Sequence, residues 1–170
     1  NYIGLDATNI TFERIDGQNR TFLNGRDVEH DIREMRVSDH VSPVSAISVV
    51  RRAMVEQQQA MGRRRGIVAD GRDIGTVVFP DAELKIFLTA DVDVRTSRRH
   101  LELAAKGIDA EWDEIKKNLT ERDRIDSSRA DSPLRKADDA VVIDNTLLSE
   151  DQQLEKALAL AKTKMDHMPG

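Results

Sequence analysis

The sequence predicts an α/β domain with a mostly parallel sheet, and three observations carry that expectation. Apolar runs of strand length at residues 66–69, 84–88 and 140–143 alternate with stretches whose apolar residues recur at helical spacing. Helices between strands are the crossovers that parallel pairing needs. A length of 170 residues, with 39% hydrophobic and 34% charged side chains, matches one globular unit with its own core, not a disordered or collagen-like chain.

In chain order, residues 9–15 and 20–23 read as short extended segments. Asp16-Gly17 and Asn24-Gly25 supply hairpin-turn residues that accept positive φ, so a small antiparallel sheet is expected there. Residues 27–38 are charged and fit either a short helix or an irregular connection. Ser42-Pro43 predicts a break. Over residues 44–61, Ile47, Val50, Met54 and Met61 share one helical face while Arg51, Arg52 and three Gln occupy the rest, which predicts a helix. Asp91 is placed to cap a helix over 92–106 that stops at Gly107. Asp109 is placed to cap the next, with Trp112, Ile115 and Leu119 on one stripe. Ser149 with Gln152 matches a capping box ahead of Leu154, Ala157, Leu158, Ala161 and Met165.

Composition excludes several classes. A net charge of -5 lacks the broad basic surface that counterion-release binding requires, so a nucleic-acid partner is not expected. The apolar runs are too short for a membrane span, and no basic-then-apolar leader opens the chain, so neither a membrane partner nor secretion is expected. With no Cys, a disulfide framework and thiolate metal sites are ruled out, and a cytoplasmic location is the expectation. His30, His40, His100 and His167 are scattered and suggest no metal site. No G-x-S-x-G nucleophile elbow occurs.

In an open α/β sheet, ligands bind beyond the carboxyl ends of the strands, which directs attention to residues 70–76, DGRDIGT. Two glycines permit tight turns, Asp70 and Asp73 offer acceptors, and Arg72 suits a phosphate; a polar loop with an internal ion pair fits as well. Arg122, Asp126 and Arg129 stand at i, i+4 and i+7, so a continuing helix sets one acid between two guanidiniums, as a ligand site or as an ion-pair ladder. Arg95, Arg98 and Arg99 share a face of the preceding helix, as a ligand cluster or a solvated face. The Arg63-Arg64-Arg65 run reads as a solvated turn. Arg outnumbers Lys 18 to 8 in a chain of negative net charge, and three Arg clusters on separate elements favour convergence on one small phosphorylated ligand.

The segment GIVADGRDIGTVVFPDAELKIFL, together with VSPVSAISVVRRAMVEQQ, RTSRRHLELAAKG and ERDRIDSSRADSPL, resembles the bacterial cytidylate kinase family over nearly all of residues 7–165. The resemblance implies a P-loop nucleoside-monophosphate kinase fold, a parallel sheet with flanking helices. Residues 1–43 would form a small antiparallel insert near the monophosphate, and residues 44–170 the rest of the core with a short lid around 95–130. It implies transfer of the ATP γ-phosphoryl group to CMP or dCMP with Mg²⁺, by a monomer acting on small molecules. By the same resemblance, Ser42, Arg51 and Asp73 match cytosine-recognising positions, and Arg72 and Arg129 monophosphate-binding arginines. Arg122 and Asp126 match residues near the sugar and phosphate, Asp70 orients its loop, and Arg95, Arg98 and Arg99 match lid arginines that close over the transferring group.

Two departures stand out. Ser48 occupies a position where the family usually has Pro. Neither G-x-x-x-x-G-K-[ST] nor the family's D-S-G-x-x-Y-R occurs, and both precede the position of Asn1 in the family, so an N-terminally incomplete copy is expected, without the first strand and the phosphate cradle and inactive by itself. A UMP or AMP kinase and a non-catalytic nucleotide-binding protein are the alternatives.

Overall fold

The structure, a computed structural model, describes residues 8–63, 65–105 and 107–167, with the side chains of Met35, Ser38, Asp39 and Ser42 outside the described set. The chain divides into two compact units, Asn1–Gln58 and Gln59–Gly170.

In the first unit, β1 (Ile10–Ile15), β2 (Gln18–Leu23) and β3 (Arg26–Asp27) form an antiparallel sheet in chain order. Ile10 lies opposite Leu23, and Phe22 opposite Asp27. The turn residues do what their chemistry suggests: Asp16 and Gly17 take φ of 51° and 79°, Asn24 and Gly25 take 50° and 80°. Paired positive φ is the twist that matches a two-residue hairpin loop to its strands. Asn24 adds a side-chain tie, its Oδ1 accepting the Asn9 N–H at 2.8 Å.

A 3₁₀ turn at Asp31–Arg33 leads into α1 (Met35–Ser45) and then α2 (Ser48–Gly62). The predicted break at Ser42-Pro43 is not there: α1 runs through both residues. Pro43 falls in the last turn, and the helix ends two residues after it, at Ser45. The chain breaks just after it, where the N–H groups of Ala46 and Ile47 bond back to the carbonyls of Pro43 and Val44. The predicted helix over 44–61 therefore begins only at Ser48. Within the first unit α2 is tied to the sheet side: Gln57 Nε2 donates to the Thr8 carbonyl at 3.1 Å.

In the second unit, β4 (Ile86–Thr89) and β5 (Val141–Asp144) pair in parallel, Ile86 with Val141 and Thr89 with Asp144. The helices α3 (Val92–Ala105) and α4 (Trp112–Ser128) form the crossover and pack on each other. The third predicted strand, 66–69, does not form. Its residues have no ladder partner among the described residues, and Val68 is fully exposed. A strand exists through its neighbours' hydrogen bonds, so apolar content alone does not make one. Leu88 and Val142 of the sheet are also about half exposed, at 52% and 50%.

Caps follow the sequence with one exception. Asp91 Oδ1 accepts the Asp93 N–H at 2.7 Å, and Gly107 at φ 71° ends α3 with N–H bonds from Gly107 and Ile108 to Ala104 and Leu103. Glu111, not Asp109, is the N-cap of α4; its extended backbone turns its carbonyl onto the N–H groups of Glu114 and Ile115. The capping box of α5 (Glu150–Asp166) is complete between Ser149 and Gln152. Among the described residues Val78, Ile115 and Ile143 are the buried apolar side chains, and no helix is long and apolar enough to cross a membrane.

Candidate functional site

The DGRDIGT segment turns the chain sharply. After bends at 71–73, residues Ile74–Val78 make one π-helical turn, the wide i→i+5 form common at functional sites. The carbonyl of Asp73 anchors it, accepting N–H bonds from Thr76, Val77 and Val78 at 3.3, 2.9 and 3.2 Å. Asp73 itself is buried. Gly71 is required, since a Cβ there would meet Ile74 Cγ1 at 2.8 Å. Behind the turn, Gly62 faces the Phe79 ring, whose Cε1 would lie 2.3 Å from an added Cβ.

Arg72 leaves this turn and meets α4, its Nε 3.1 Å from Asp126 Oδ2. On the other oxygen, Oδ1, Asp126 takes Arg129 Nη1 at 3.3 Å. The Leu134 N–H donates to the Asp126 carbonyl at 2.7 Å and folds the segment after α4 back onto its last turn. The side chains of Asp126 and Arg129 are 14% and 7% exposed, whereas Arg72 is 46% exposed and its Nη groups have no hydrogen bond among the described residues. One carboxylate between two guanidiniums leaves a net positive charge with planar donors, which suits a phosphate.

The sequence pattern placed Asp126 between Arg122 and Arg129 on a continuing helix, and the structure differs. α4 stops at Ser128 with Arg129 as its extended C-cap, and Arg122 is exposed with no ion pair among the described residues. The second guanidinium comes instead from Arg72, because the π turn delivers it, a register no single-helix pattern can reveal.

The α3 arginines go three ways. Arg95 Nη1 lies 2.7 Å from Asp123 Oδ2 on α4. Arg98 donates to the side-chain and backbone oxygens of Asn145 and to the Leu148 carbonyl. Arg99 pairs with Glu102 on its own helix at 2.7 Å. Asp123 was not singled out in the sequence, although its position three residues before Asp126 on one helix was a usable signal. Asp70 is exposed and has no partner among the described residues. Ser42 and Arg51 belong to the first unit; the Ser42 side chain lies outside the described residues, and Arg51 Nε donates to the Ser45 carbonyl at 3.0 Å.

Mg²⁺ with ATP, implied by the resemblance, finds no fitting donor set among the described residues. The described residues hold one cluster of metal-type ligands, His30, Asp31 and Glu34, and its carboxylates already pair with Arg26 and Arg36.

Residues 5–163 match the family model described as cytidylate kinase. The chain is 59% identical over 139 residues to the cytidylate kinase of Bacteroides thetaiotaomicron, covering 82% of this chain and 61% of that protein. It is 57% identical over 137 residues to that of Parabacteroides distasonis, covering 81% and 60%. For Porphyromonas gingivalis the identity is 56% over 138 residues, covering 81% and 60%. The chain thus spans about three fifths of the length of these curated relatives. The match over almost all of its own residues, with the arginine-bearing segments inside it, means that the chain belongs to the cytidylate kinase family.

Proposed function

We propose that the chain holds the nucleotide acceptor in a kinase that passes the ATP γ-phosphoryl group to CMP or dCMP, giving CDP or dCDP. The observation that carries this reading is the Arg72–Asp126–Arg129 cluster, two guanidiniums fixed by one shielded carboxylate. The relatives named cytidylate kinase support the choice of substrate.

In this reading the dianionic monophosphate is gripped by Arg72 and Arg129, while Asp126 fixes their separation and lies near the sugar with Arg122. Asp73 accepts from the cytosine amino group; the resemblance also assigns Ser42 and Arg51 to cytosine recognition. Asp70 orients the loop that carries Arg72. Phosphoryl transfer passes through a loose transition state in which alignment and charge stabilisation outweigh a strong base, so the chain's contribution is binding and orientation. Mg·ATP, when bound, supplies the phosphoryl group.

The test is calorimetric titration of the 170-residue polypeptide with CMP, dCMP, UMP and AMP. CMP and dCMP should bind in preference to UMP and AMP, and Asp73→Asn should narrow the CMP-to-UMP ratio by about tenfold, the scale of one unpaired buried polar group. Equal binding of UMP or AMP would assign a different acceptor, and absence of CMP binding would remove the reading. In a coupled ADP-release assay the same polypeptide should show no turnover, since it carries no G-x-x-x-x-G-K-[ST] cradle for the ATP phosphates.

A further inference from the structure

Arg72 and Asp73 are the last two residues before the π turn, so the set of Ile74–Val78 decides where a guanidinium and a carboxylate are presented. A π turn is a rare, wide form that depends on its surroundings for support. Its far end has two braces: Gln59 Nε2 donates to the Val77 carbonyl at 3.3 Å, and the Phe79 ring packs against Gly62. At its near end, two residues from Asp73, the atoms that a Cβ on Gly75 would meet are Cδ, Cγ and Cβ of Lys85, at 3.4, 3.6 and 3.8 Å. The methylene stem of Lys85 is thus the wall on which Gly75 rests.

That stem is held at both ends. At the backbone, the Lys85 carbonyl accepts the Val141 N–H at 2.9 Å and ties the residue to the start of the β4–β5 ladder. At the tip, the ammonium donates to Oδ1 and Oδ2 of Asp139, each at 2.9 Å, and to the Pro80 carbonyl. An ammonium has three donors, and these three acceptors match them. The Lys85 side chain is 9% exposed while Asp139 is 64% exposed, so the lysine lies inside and the partner of its charge reaches solvent. A lysine ordinarily keeps its charge in water and much of its rotamer freedom. Filling the space beside Gly75 would need neither the charge nor its anchor; holding the stem in one place needs both.

We propose that Lys85 is a positioning residue for acceptor recognition: its stem, drawn tight by Asp139 and the Pro80 carbonyl, fixes Gly75 and so the direction in which the π turn presents Arg72 and Asp73 to the nucleoside monophosphate. The proposal rests on the CMP-kinase reading above and deepens it, because it assigns the alignment of base and phosphate contacts to an ion pair that touches neither group. A turn that is already set spares the ligand the cost of ordering it on binding. The effect falls unevenly on ligands. CMP uses both Arg72 and Asp73, whereas UMP, which has no amino group for Asp73, uses only the phosphate contact, so loosening the turn costs CMP more.

The experiment compares CMP and UMP affinities of the 170-residue chain and its variants by calorimetry, well below the melting temperature of each. Lys85→Ala should lower CMP affinity about tenfold, the scale of one charge-assisted contact, and narrow the CMP-to-UMP ratio. Asp139→Ala frees the same stem from an exposed position, so it keeps the test open if Lys85→Ala does not fold; it should shift both quantities in the same direction by less. The double variant should lose no more than Lys85→Ala alone, as coupled partners do. Ser149→Ala, which removes the α5 capping box, is the control: it should lower the melting temperature and leave the ratio unchanged. Folded Lys85 or Asp139 variants that keep the wild-type ratio, or weaken CMP and UMP equally, would show that Lys85 only stabilises the fold, and the proposal falls with the CMP-kinase reading intact. A narrowed ratio in Ser149→Ala would also overturn it, by making the effect a general one. Failure of the wild type to bind CMP takes down that reading itself.

Discussion

Arg98 of α3 grips Asn145 at two points, Nη1 lying 3.0 Å from the side-chain Oδ1 and Nη2 2.7 Å from the backbone carbonyl. Asn145 in turn donates to Gln153 of α5, and the neighbouring Thr146 hydroxyl accepts the Asp91 N–H at 2.9 Å, so one turn after β5 is pinned to both flanking helices. The grip gives Arg98 a scaffold role that the family resemblance, which sets it among lid arginines, does not describe.

Replacing Arg98 by Ala should therefore lower stability by about 1–3 kcal/mol, the range for losing hydrogen bonds to a charged group, or about 2–4 °C in melting temperature per kcal/mol for a chain of this size. Arg98→Lys should not rescue it, because a single ammonium cannot reproduce the fork that spans Oδ1 and two carbonyls. Melting curves with and without CDP decide the matter. An Arg98→Ala protein of unchanged stability that binds CDP poorly would return Arg98 to the ligand-binding arginines.

The Gly62–Phe79 contact predicts a steric effect. An added Cβ would lie within 2.3–2.7 Å of the Phe79 ring, so the ring must move, and Phe79 closes the π turn that Asp73 begins. Gly62→Ala should cost about 1–3 kcal/mol, the usual range for overpacking, despite alanine's higher helix propensity. Chemical denaturation measures this; a more stable variant would show that Phe79 relocates freely.

Local signals were legible in the sequence where the physics is local. The Asp16-Gly17 and Asn24-Gly25 hairpin turns, the Asp91 cap, the Gly107 stop and the Ser149–Gln152 box depend on residues a few positions apart, and all are present. The parallel pairing of β4 with β5 followed from apolar runs separated by helices. Residues 66–69 carry the same apolar signal and remain unpaired, because a ladder needs a neighbour that the run itself does not specify. At the site, Asp126 and Arg129 were readable from spacing within one segment. The Arg72–Asp126 and Arg95–Asp123 contacts were not, since each joins elements whose approach is set by tertiary packing.

Acid should unfold the protein through its paired carboxylates. The N–H of Glu29 and then the Arg20 guanidinium hold Asp27 below the usual carboxyl range; Arg33 does so for Glu29, Arg36 for Glu34 and Lys85 for Asp139. Each binds fewer protons folded than unfolded, so its stabilisation is complete above the ordinary carboxyl pKa of about 4 and fades as pH falls through the lower folded value. Melting temperature should be level from pH 7 to about 5 and then drop. Asp27→Asn should lower it at pH 7 and converge with wild type near pH 2, and parallel curves for the two proteins would acquit Asp27.

Ser48 opens α2, and the first helical position is where proline is best tolerated, because the N–H it lacks has no intrahelical acceptor and its fixed φ suits the helix. The serine found here in place of the family's usual proline thus leaves the helix start intact. Ser48→Pro should be neutral or raise stability by about 0.4–1 kcal/mol by restricting the unfolded chain. A loss above about 1 kcal/mol would mean that the Ser48 N–H is needed.

Asp126 separates two guanidiniums, one with a side chain only 7% exposed, so removing its charge should be felt first in the free protein. Asp126→Asn keeps the shape and one acceptor but removes the negative charge between Arg72 and Arg129. Loss of a partner in a fully buried pair costs about 3–5 kcal/mol; with Arg72 46% exposed to solvent, about 1–3 kcal/mol is expected here. Inorganic phosphate should reverse part of that loss, since a dianion between the guanidiniums replaces the missing charge, and chloride at equal ionic strength should not. The measurement is melting temperature against phosphate concentration for both proteins. Equal phosphate protection of variant and wild type would place the phosphate elsewhere, and an unchanged melting temperature without phosphate would show that Asp126 does not support the pair.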